Sequence, residues 1–569
     1  MAVIIVESPA KARKIQGFFT DGTKCISSCG HIRDLQGKTL SIDISNNFEP
    51  DYVICEDKRK IASRIRASSK THEIILAADD DREGHAIAWH CGRVAGVDFT
   101  KKNRITFNEI SKKAIKQALE DIHPINMNEV NAQQARRIID RLVGFSLSPL
   151  LWKHIKTSYK GLSAGRVQST LLNLLQDKSE QIKTHTPTIH SKCQGVFEMN
   201  DISWKGTFSE TTCEPETLLG VFRDNRVFTI ESQNHYIDTE YSPAPLITSS
   251  LQIAAQRELD YSIQTCMKIA QKLYENGKIT YMRTDSPVIS PDFQQTVKQY
   301  IKQEWSLQYY QEKKGRKSKG AQEAHECIRV TKLDETLNDR YTKEDVDLYE
   351  LIKRYTILSQ MKPALYDVTK ITLTTKDSHQ YGTFTLTYRT LSFQGYLIYY
   401  QGTPKEHRPQ THLTIPDESI FTLQTSSIVY EPTKCPSYYD ESSIVTLLET
   451  SGIGRPSTYV SIINTLYNRN YTLTKTIEPE EYDSHIYELS NSDKITDTTK
   501  KKHWPRQDNK IVLTDLGETV LTYLRSHFSH IINTEFTSQV ESDLDGIAKG
   551  VLEWRSVIKK VYDSFITEV

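Results

Sequence analysis

Four carboxylates fall within five positions of the segment 79–90, DDDREGHAIAWH: Asp79, Asp80, Asp81 and Glu83. Two unit charges about 6 Å apart repel by roughly 3 kcal/mol at an effective dielectric of about 20. The segment therefore needs a counter-charge or open water. Mg²⁺ is one such counter-charge, because it takes hard oxygen ligands from a short turn. The plainer alternative is a solvated acidic turn at a helix N-terminus, where acids suit the helix dipole, and the cluster alone leaves both open. A further acid, Glu7, closes the apolar run 3–6 and shifts the balance toward a metal, with Glu7, Asp79, Asp81 and Glu83 as the ligand set. In the segment 277–287, GKITYMRTDSP, Tyr281 and Arg283 project to one side if the chain is extended. A phenol with a pKa near 10 is a poor nucleophile at neutral pH. A neighbouring guanidinium stabilises both a phenolate and a phosphate under attack, which suits phosphoryl transfer to tyrosine. Among 29 tyrosines, however, such a pair is more often surface packing. His325, in AQEAHECIR, could relay protons or contact phosphate. The basic stretch KKGRKSKG just before it reads by itself as a solvated loop.

The elements that must position these residues are legible in outline. The run 3–6 is β-branched and aliphatic, Ser8 can cap the helix that follows, and Pro9 fits its first turn. A second unit of the same kind runs from 74–78 into a helix beginning near Arg82, with Ile87, Cys91 and Val94 on one face. Alternation of this type predicts an α/β sheet covered by helices, with ligands at the carboxyl ends of the strands. Glu7 and Asp79 both stand at such ends. Residues 126–184 read as helical. Residues 190–245 and 368–430 read as strands, and 247–367 between them as mainly helical. This predicts a β-rich domain interrupted by a helical insertion. The polar stretch 472–510 is expected to be a long loop or a partly disordered insertion, with helices resuming from Asp515.

The totals exclude more than they assert. Across 569 residues, 72 Lys and Arg balance 72 Asp and Glu, so the global basic bias common in nucleic-acid binders is absent. Nine cysteines are scattered without a Cys-x-x-Cys pair and read as free thiols in a reducing compartment, with no zinc site. No apolar run approaches 18 residues, so no membrane span is expected and the chain should be intracellular. GHIRDLQGKT ends like a phosphate-binding loop, but Ile32 stands where the first glycine must be, so nothing points to ATP.

Taken together and in order, VIIVESPAKARKI, GHIRDL, LAADDDREG, RITFNEIS, VNAQQARRIIDRLVGFSLSPLLWKHI, GLSAGRVQS, ITYMRTDS, AQEAHE and GIGRPSTYVSII closely resemble type IA DNA topoisomerases of the bacterial topoisomerase I branch. Weaker matches, VLTDLGETVLTYL and FTSQVESDLDGIAKG, carry the resemblance almost to the C-terminus. The resemblance implies a multidomain toroid of α/β, α and β parts. Its expected pieces are a Toprim domain at 1–125, a helical DNA-binding domain at 126–185 with 441–569, a β-rich arch at 186–246 with 368–440, and a helical gate domain at 247–367 carrying the tyrosine. It implies Tyr281 as nucleophile forming a 5′-phosphotyrosine, Arg283 steadying the pentavalent phosphate, Glu7 near the leaving oxygen, Lys11 on the scissile phosphate and His325 close by. Mg²⁺ would sit on the acidic set, and no ATP would be needed because the covalent bond conserves the phosphodiester's energy.

Implied DNA contacts are His31, Arg136, Arg137, Asp140, Phe145 and Trp152, the stretch Ser163, Ala164, Gly165, Arg166, Val167 and Gln168, and Arg455, Ser457 and Thr458. Taken without the resemblance, these segments read as an ordinary amphipathic helix and ordinary turns. The partner implied is single-stranded DNA within a negatively supercoiled duplex, with RNA left open. The protein is expected to act as a monomer in the cytoplasm or at the nucleoid. Decatenation of the topoisomerase III type and a non-catalytic single-strand-binding scaffold are the alternatives. The scaffold has no use for Tyr281, Arg283 or the acids. Two departures stand out: His85 replaces the acid that usually ends the acidic motif, and Phe145 replaces a tyrosine tied to base preference upstream of the cut. The cysteine-rich zinc modules that often follow this core are not expected.

Overall fold

The computed structural model describes residues 2–37, 39–209, 213–312, 326–375, 381–401 and 415–566. The strand Ala2–Val6 lies between the parallel strands Lys24–Ser27 and Glu73–Leu76. All three segments are aliphatic where they face the core, and Val3, Ile4, Val6 and Leu76 are fully enclosed. The helix Pro9–Gln16 starts as its sequence dictates: Ser8 Oγ accepts from the Lys11 N–H, and Pro9 occupies the first turn. The helix Arg82–Ala95 packs Ile87, Cys91 and Val94 inward, and Asp81 caps it by accepting from the Gly84 N–H. Both helices leave the carboxyl edge of this sheet, which places Glu7 and Asp79 side by side.

The helices Met127–His154 and Arg166–Lys183 form one hydrophobic core with Glu441–Thr450, Tyr459–Asn468 and the C-terminal helices Asp515–Phe528, Thr534–Ala548 and Trp554–Phe565. A second core joins the α/β sheet to the helices Thr248–Leu259, Ile263–Glu275, Pro291–Glu304 and Lys343–Leu358, and it contains Tyr281. Ile263 is an exception among the buried residues of its helix. It packs in the first core while Cys266, Ile269, Ala270, Leu273 and Tyr274 pack in the second.

The β-rich part is a ring. Val227–Glu240, Ala364–Thr374, Phe384–Phe393, Ile202–Phe208, Ile189–Met199 and Ile420–Pro432 pair in that order. The ring closes where Val227–Thr229 pairs back onto Ile420–Thr422. It is filled by Phe197, Phe222, Phe228 and Phe384, in edge-to-face contacts except for the tilted pair Phe222 and Phe384.

The stretch 472–510 departs from expectation, because it is ordered as strands. Thr472–Ile477 pairs with Gln507–Leu513. Between them, the hairpin Glu481–Leu489 and Ile495–His503 adds to the ring by pairing with Ile420–Pro432. Its polarity follows from its place at the sheet edge, where only Ser484, Ile486 and Leu489 are buried.

Candidate active site

The acidic turn is built by three devices. Gly84 lets the helix start directly beneath the loop, since a Cβ there would lie 2.1 Å from the Asp79 carbonyl oxygen. Arg104, fully buried, donates to the carbonyl oxygens of Ala78 at 2.6 Å and Asp79 at 2.7 Å, so the loop backbone is pinned from below. Asp81 spends one carboxylate oxygen on the cap at Gly84 N, 2.7 Å away. Asp79 and Asp81 are consequently buried, which rules out a solvated acidic turn.

The repulsion is offset by groups of the chain itself. The Lys11 ammonium, wholly buried, is hydrogen-bonded to both Glu7 Oε1 and Asp79 Oδ1 and lies 4.7 Å from the centre of the Tyr274 ring. Tyr274 donates its hydroxyl to Asp79 Oδ1 at 2.9 Å. Burial and the Asp79 charge push the Glu7 carboxyl upward. Burial would also raise Asp79, but Lys11 and the hydrogen bonds from Lys11 and Tyr274 outweigh it and hold Asp79 below the usual range. Of the two acids sharing Lys11, Asp79 keeps the charge and Glu7 holds a proton more readily. Burial works against the charge on Glu83 too, yet hydrogen bonds from His31 and Gln133, together with Arg283, keep its carboxyl at about 2.

The tyrosine segment meets this edge from the other core. Gly277, at φ +67°, allows a turn whose Cβ would strike the Ile110 carbonyl oxygen at 2.4 Å. The Tyr281 N–H then donates to the Asn108 carbonyl oxygen at 2.8 Å. The buried Tyr281 hydroxyl donates to Asp81 Oδ2 at 2.7 Å, and Arg283 Nη1 lies 3.7 Å from the same oxygen. Tyr281 and Arg283 thus converge on one carboxylate. Burial, Asp81 and Asp79 raise the Tyr281 phenol well above its ordinary value, with Arg283 opposing. A cavity of about 470 Å³ is lined by Glu7, Asp79, Asp81, Glu83, Tyr281 and Arg283 among others.

The expected metal ligands share this cavity but are not gathered into one cage. Among the described residues, no three His, Cys, Asp or Glu side chains stand together as a ready metal site. Lys11, Tyr281 and His31 each occupy carboxylate oxygens that a four-acid set would turn toward one ion. His325 and the basic stretch at 313–320 lie outside the described residues.

The residues expected to contact DNA divide into two groups. Along the helix Met127–His154, the expected Arg137, Phe145 and Trp152 form a stripe with Gln133 and Arg141, which were not expected, about 28 Å long and leading away from Glu83. Arg137 makes a two-point contact with Asp34, at 3.1 and 2.7 Å. Arg141 lies over the Phe145 ring at 4.9 Å, and Trp152 is 61% exposed with its Nε1 donating to the Leu162 carbonyl oxygen. Gln168 donates to the Ser163 carbonyl oxygen, while Gly165 stands at the N-cap of Arg166–Lys183. Arg455, Ser457 and Thr458 line a smaller cavity beside the first, with Arg136, Arg283 and Asp81.

Ala164, Arg166 and Val167 depart from expectation because they are buried. Arg166 does not reach outward: its guanidinium is wholly enclosed against Glu541 at 2.9 Å and Asp140 at 3.4 Å. Glu541 and Asp545 were missed by sequence reasoning, although their i, i+4 spacing within FTSQVESDLDGIAKG puts both on one helix face. All nine cysteines are free, in keeping with their scattered spacing. None of the described helices is long and apolar enough to cross a membrane.

An α/β sheet with an acidic carboxyl edge is thus met by a tyrosine from the second helical core. Residues 2–110 match the Toprim domain, and residues 124–507 match the DNA topoisomerase family model. Full-length topoisomerase I from Thermotoga maritima, solved in a monoclinic crystal form, superposes with a TM-score of 0.83 at 31% identity, over 99% of this chain and 90% of that one. The chain belongs to the type IA DNA topoisomerases and is similar to bacterial topoisomerase I, with the toroidal fold of that family. At the level of the family it is an isomerase whose partner is DNA.

Proposed function

We propose that the chain relaxes negatively supercoiled DNA through a transient break in one strand, acting as a monomer on single-stranded segments. Tyr281 Oη attacks a backbone phosphorus, forming a 5′-phosphotyrosine as the bond to the 3′ oxygen breaks. Asp81 Oδ2, 2.7 Å from the phenol, is the acceptor placed to take its proton. Glu7, whose carboxyl is raised by burial and by Asp79, serves either as proton donor to the departing 3′ oxygen or as metal ligand. Lys11 and Arg283 stabilise charge on the phosphoryl oxygens. Reversal after strand passage reseals the DNA, and because the covalent link conserves the bond energy no nucleotide is consumed.

The donor chemistry of the acidic edge fits Mg²⁺. Glu7, Asp79, Asp81 and Glu83 offer hard oxygens, and Glu7 Oε2 is buried without a hydrogen-bond partner among the described residues. Bound there, the ion would add positive charge beside the phosphate under attack. The four-part division into Toprim, helical DNA-binding, β-rich arch and gate domains, at the boundaries expected from sequence, belongs to the same proposal.

The observation that carries this reading is the Tyr281 hydroxyl on Asp81, a pair separated by 200 positions in the chain. The test is relaxation of a supercoiled plasmid with Mg²⁺ and no nucleotide, comparing the wild-type chain with Tyr281→Phe. Loss of cleavage with retained single-strand binding is expected. Relaxation that persists in the variant refutes the assignment.

A further inference from the structure

The helix Thr534–Ala548 presents Glu541 and Asp545 one turn apart on a single face, and Asp545 lines the smaller cavity with Asp81, Arg283 and Ser457. Asp545 Oδ1 accepts from Arg82 Nη2 at 2.5 Å, and its Oδ2 accepts from Arg455 Nη2 at 2.6 Å. Arg82 stands between Asp81 and Glu83 in the chain, and its Nε also lies 3.4 Å from Glu129 Oε2. Arg455 heads the turn bearing Ser457 and Thr458, its N–H donating to Thr458 Oγ1 at 2.9 Å and its Nη1 to the Gly454 carbonyl oxygen at 2.6 Å. One carboxylate therefore ties the acidic loop to the turn that faces the cavity of Asp81, Arg283 and Ser457. Behind it, Glu541 is wholly buried and accepts from Arg136 Nη2 at 2.8 Å and Arg166 Nη2 at 2.9 Å, with Arg455 Nη1 4.0 Å from its second oxygen.

We infer that Asp545 is a positioning residue for strand cleavage: it fixes Arg82 and Arg455 in register, so that the acidic loop and the phosphate grip move as one unit. The inference rests on the proposed reading of the site. Its physical content is a trade between attraction and orientation. Asp545 neutralises part of the charge of two arginines, which weakens raw attraction for a polyanion. In return it holds their planar forks in one geometry, and a reacting phosphate misplaced by about 1 Å loses on the order of a hundredfold in rate.

The two contributions separate in Asp545→Asn, which keeps the shape and removes the charge. Freeing one net positive charge should leave affinity for a single-stranded oligonucleotide equal or tighter at low salt, and should steepen the slope of log affinity against log salt by about 0.7. At saturating oligonucleotide, single-turnover formation of the covalent adduct should fall at least tenfold. Asp545→Glu, which keeps the charge on a longer stem, should restore part of the rate.

The experiment uses the full-length chain, a fluorescently labelled oligonucleotide for binding, and gel-resolved adduct for cleavage, with melting temperature measured on each variant. An adduct rate in Asp545→Asn within twofold of wild type overturns the inference. So does a joint fall of affinity, adduct rate and melting temperature that Asp545→Glu does not relieve, because that marks a residue needed only for folding. Absence of adduct from the wild-type chain overturns the reading of the site and the inference with it, whereas wild-type adduct formation with a full-rate variant overturns the inference alone.

Discussion

Strand passage under the proposed function requires the layer carrying Tyr281 to part from the helical layer that grips DNA, and Ile263 is placed to resist that parting. It is the first residue of the helix Ile263–Glu275, yet its fully buried side chain packs in the core of the opposite layer. Its N–H donates across the interface to Glu441 Oε2 at 2.8 Å. Opening re-exposes this side chain. Ile263→Ala removes three carbons whose burial is worth about 0.8 kcal/mol each, so the closed state loses roughly 2 kcal/mol before any cavity cost. At 1.4 kcal/mol per tenfold, the ratio of open to closed protein rises roughly thirtyfold. Tyr281 belongs to the other core, so cleavage of a short oligonucleotide should be almost unchanged. A single-molecule assay that records extension jumps of a cleaved strand bridged by the protein measures the open fraction directly at fixed force. A shift below twofold, with the melting temperature and cleavage rate intact, would refute the view that this contact holds the two layers together.

Two further substitutions test the site itself. Gly84→Ala should abolish oligonucleotide cleavage while sparing single-strand binding, because its Cβ would lie 2.1 Å from the Asp79 carbonyl oxygen and force the acidic turn apart; cleavage at the wild-type rate would show that the turn's shape is immaterial. Trp152→Ala should weaken single-strand binding by about 1–3 kcal/mol if a base stacks on its exposed ring, and titration with oligonucleotides of increasing length should place the loss at the end of the track farthest from Tyr281.

What the sequence disclosed and what it hid follow from where the governing forces act. Ser8, Pro9 and the apolar run before Glu7 specify their strand and helix through local capping and burial, and the structure places them as read. Tyr281 and Arg283 are two positions apart, a spacing that faces one side of an extended chain; the chain instead bends at Met282 and Arg283, and the distant Asp81 is what both approach. The hairpin within 472–510 was hidden because a strand at a sheet edge buries little. Its threonines and lysines look like loop, and its pairing with Ile420–Pro432 is a long-range event without a local signature. Arg166 was misjudged for the same reason. An arginine after a glycine-rich turn suits a phosphate, and here the distant Glu541, with Asp140 and the Thr537 carbonyl, turns it inward.

The balance of 72 basic and 72 acidic residues acquires a physical meaning at the site. Charges there are matched pair by pair: Lys11 to Glu7 and Asp79, Arg283 to Asp81, Arg82 and Arg455 to Asp545, and Arg136 and Arg166 to Glu541. Burying any one of these charges unpaired would cost several kcal/mol, so each must be satisfied by the fold before DNA arrives. Under the proposed function, binding a phosphate strand is in part an exchange of partners, in which Arg283 passes from Asp81 to phosphate oxygens while Arg82 and Arg455 stay held by Asp545. An exchange gains less affinity than attraction to a bare basic surface, but it admits only a ligand that restores every contact it breaks. A chain with no net charge can for that reason select a strand laid along one groove, where a uniformly basic chain would hold DNA at any point on its surface.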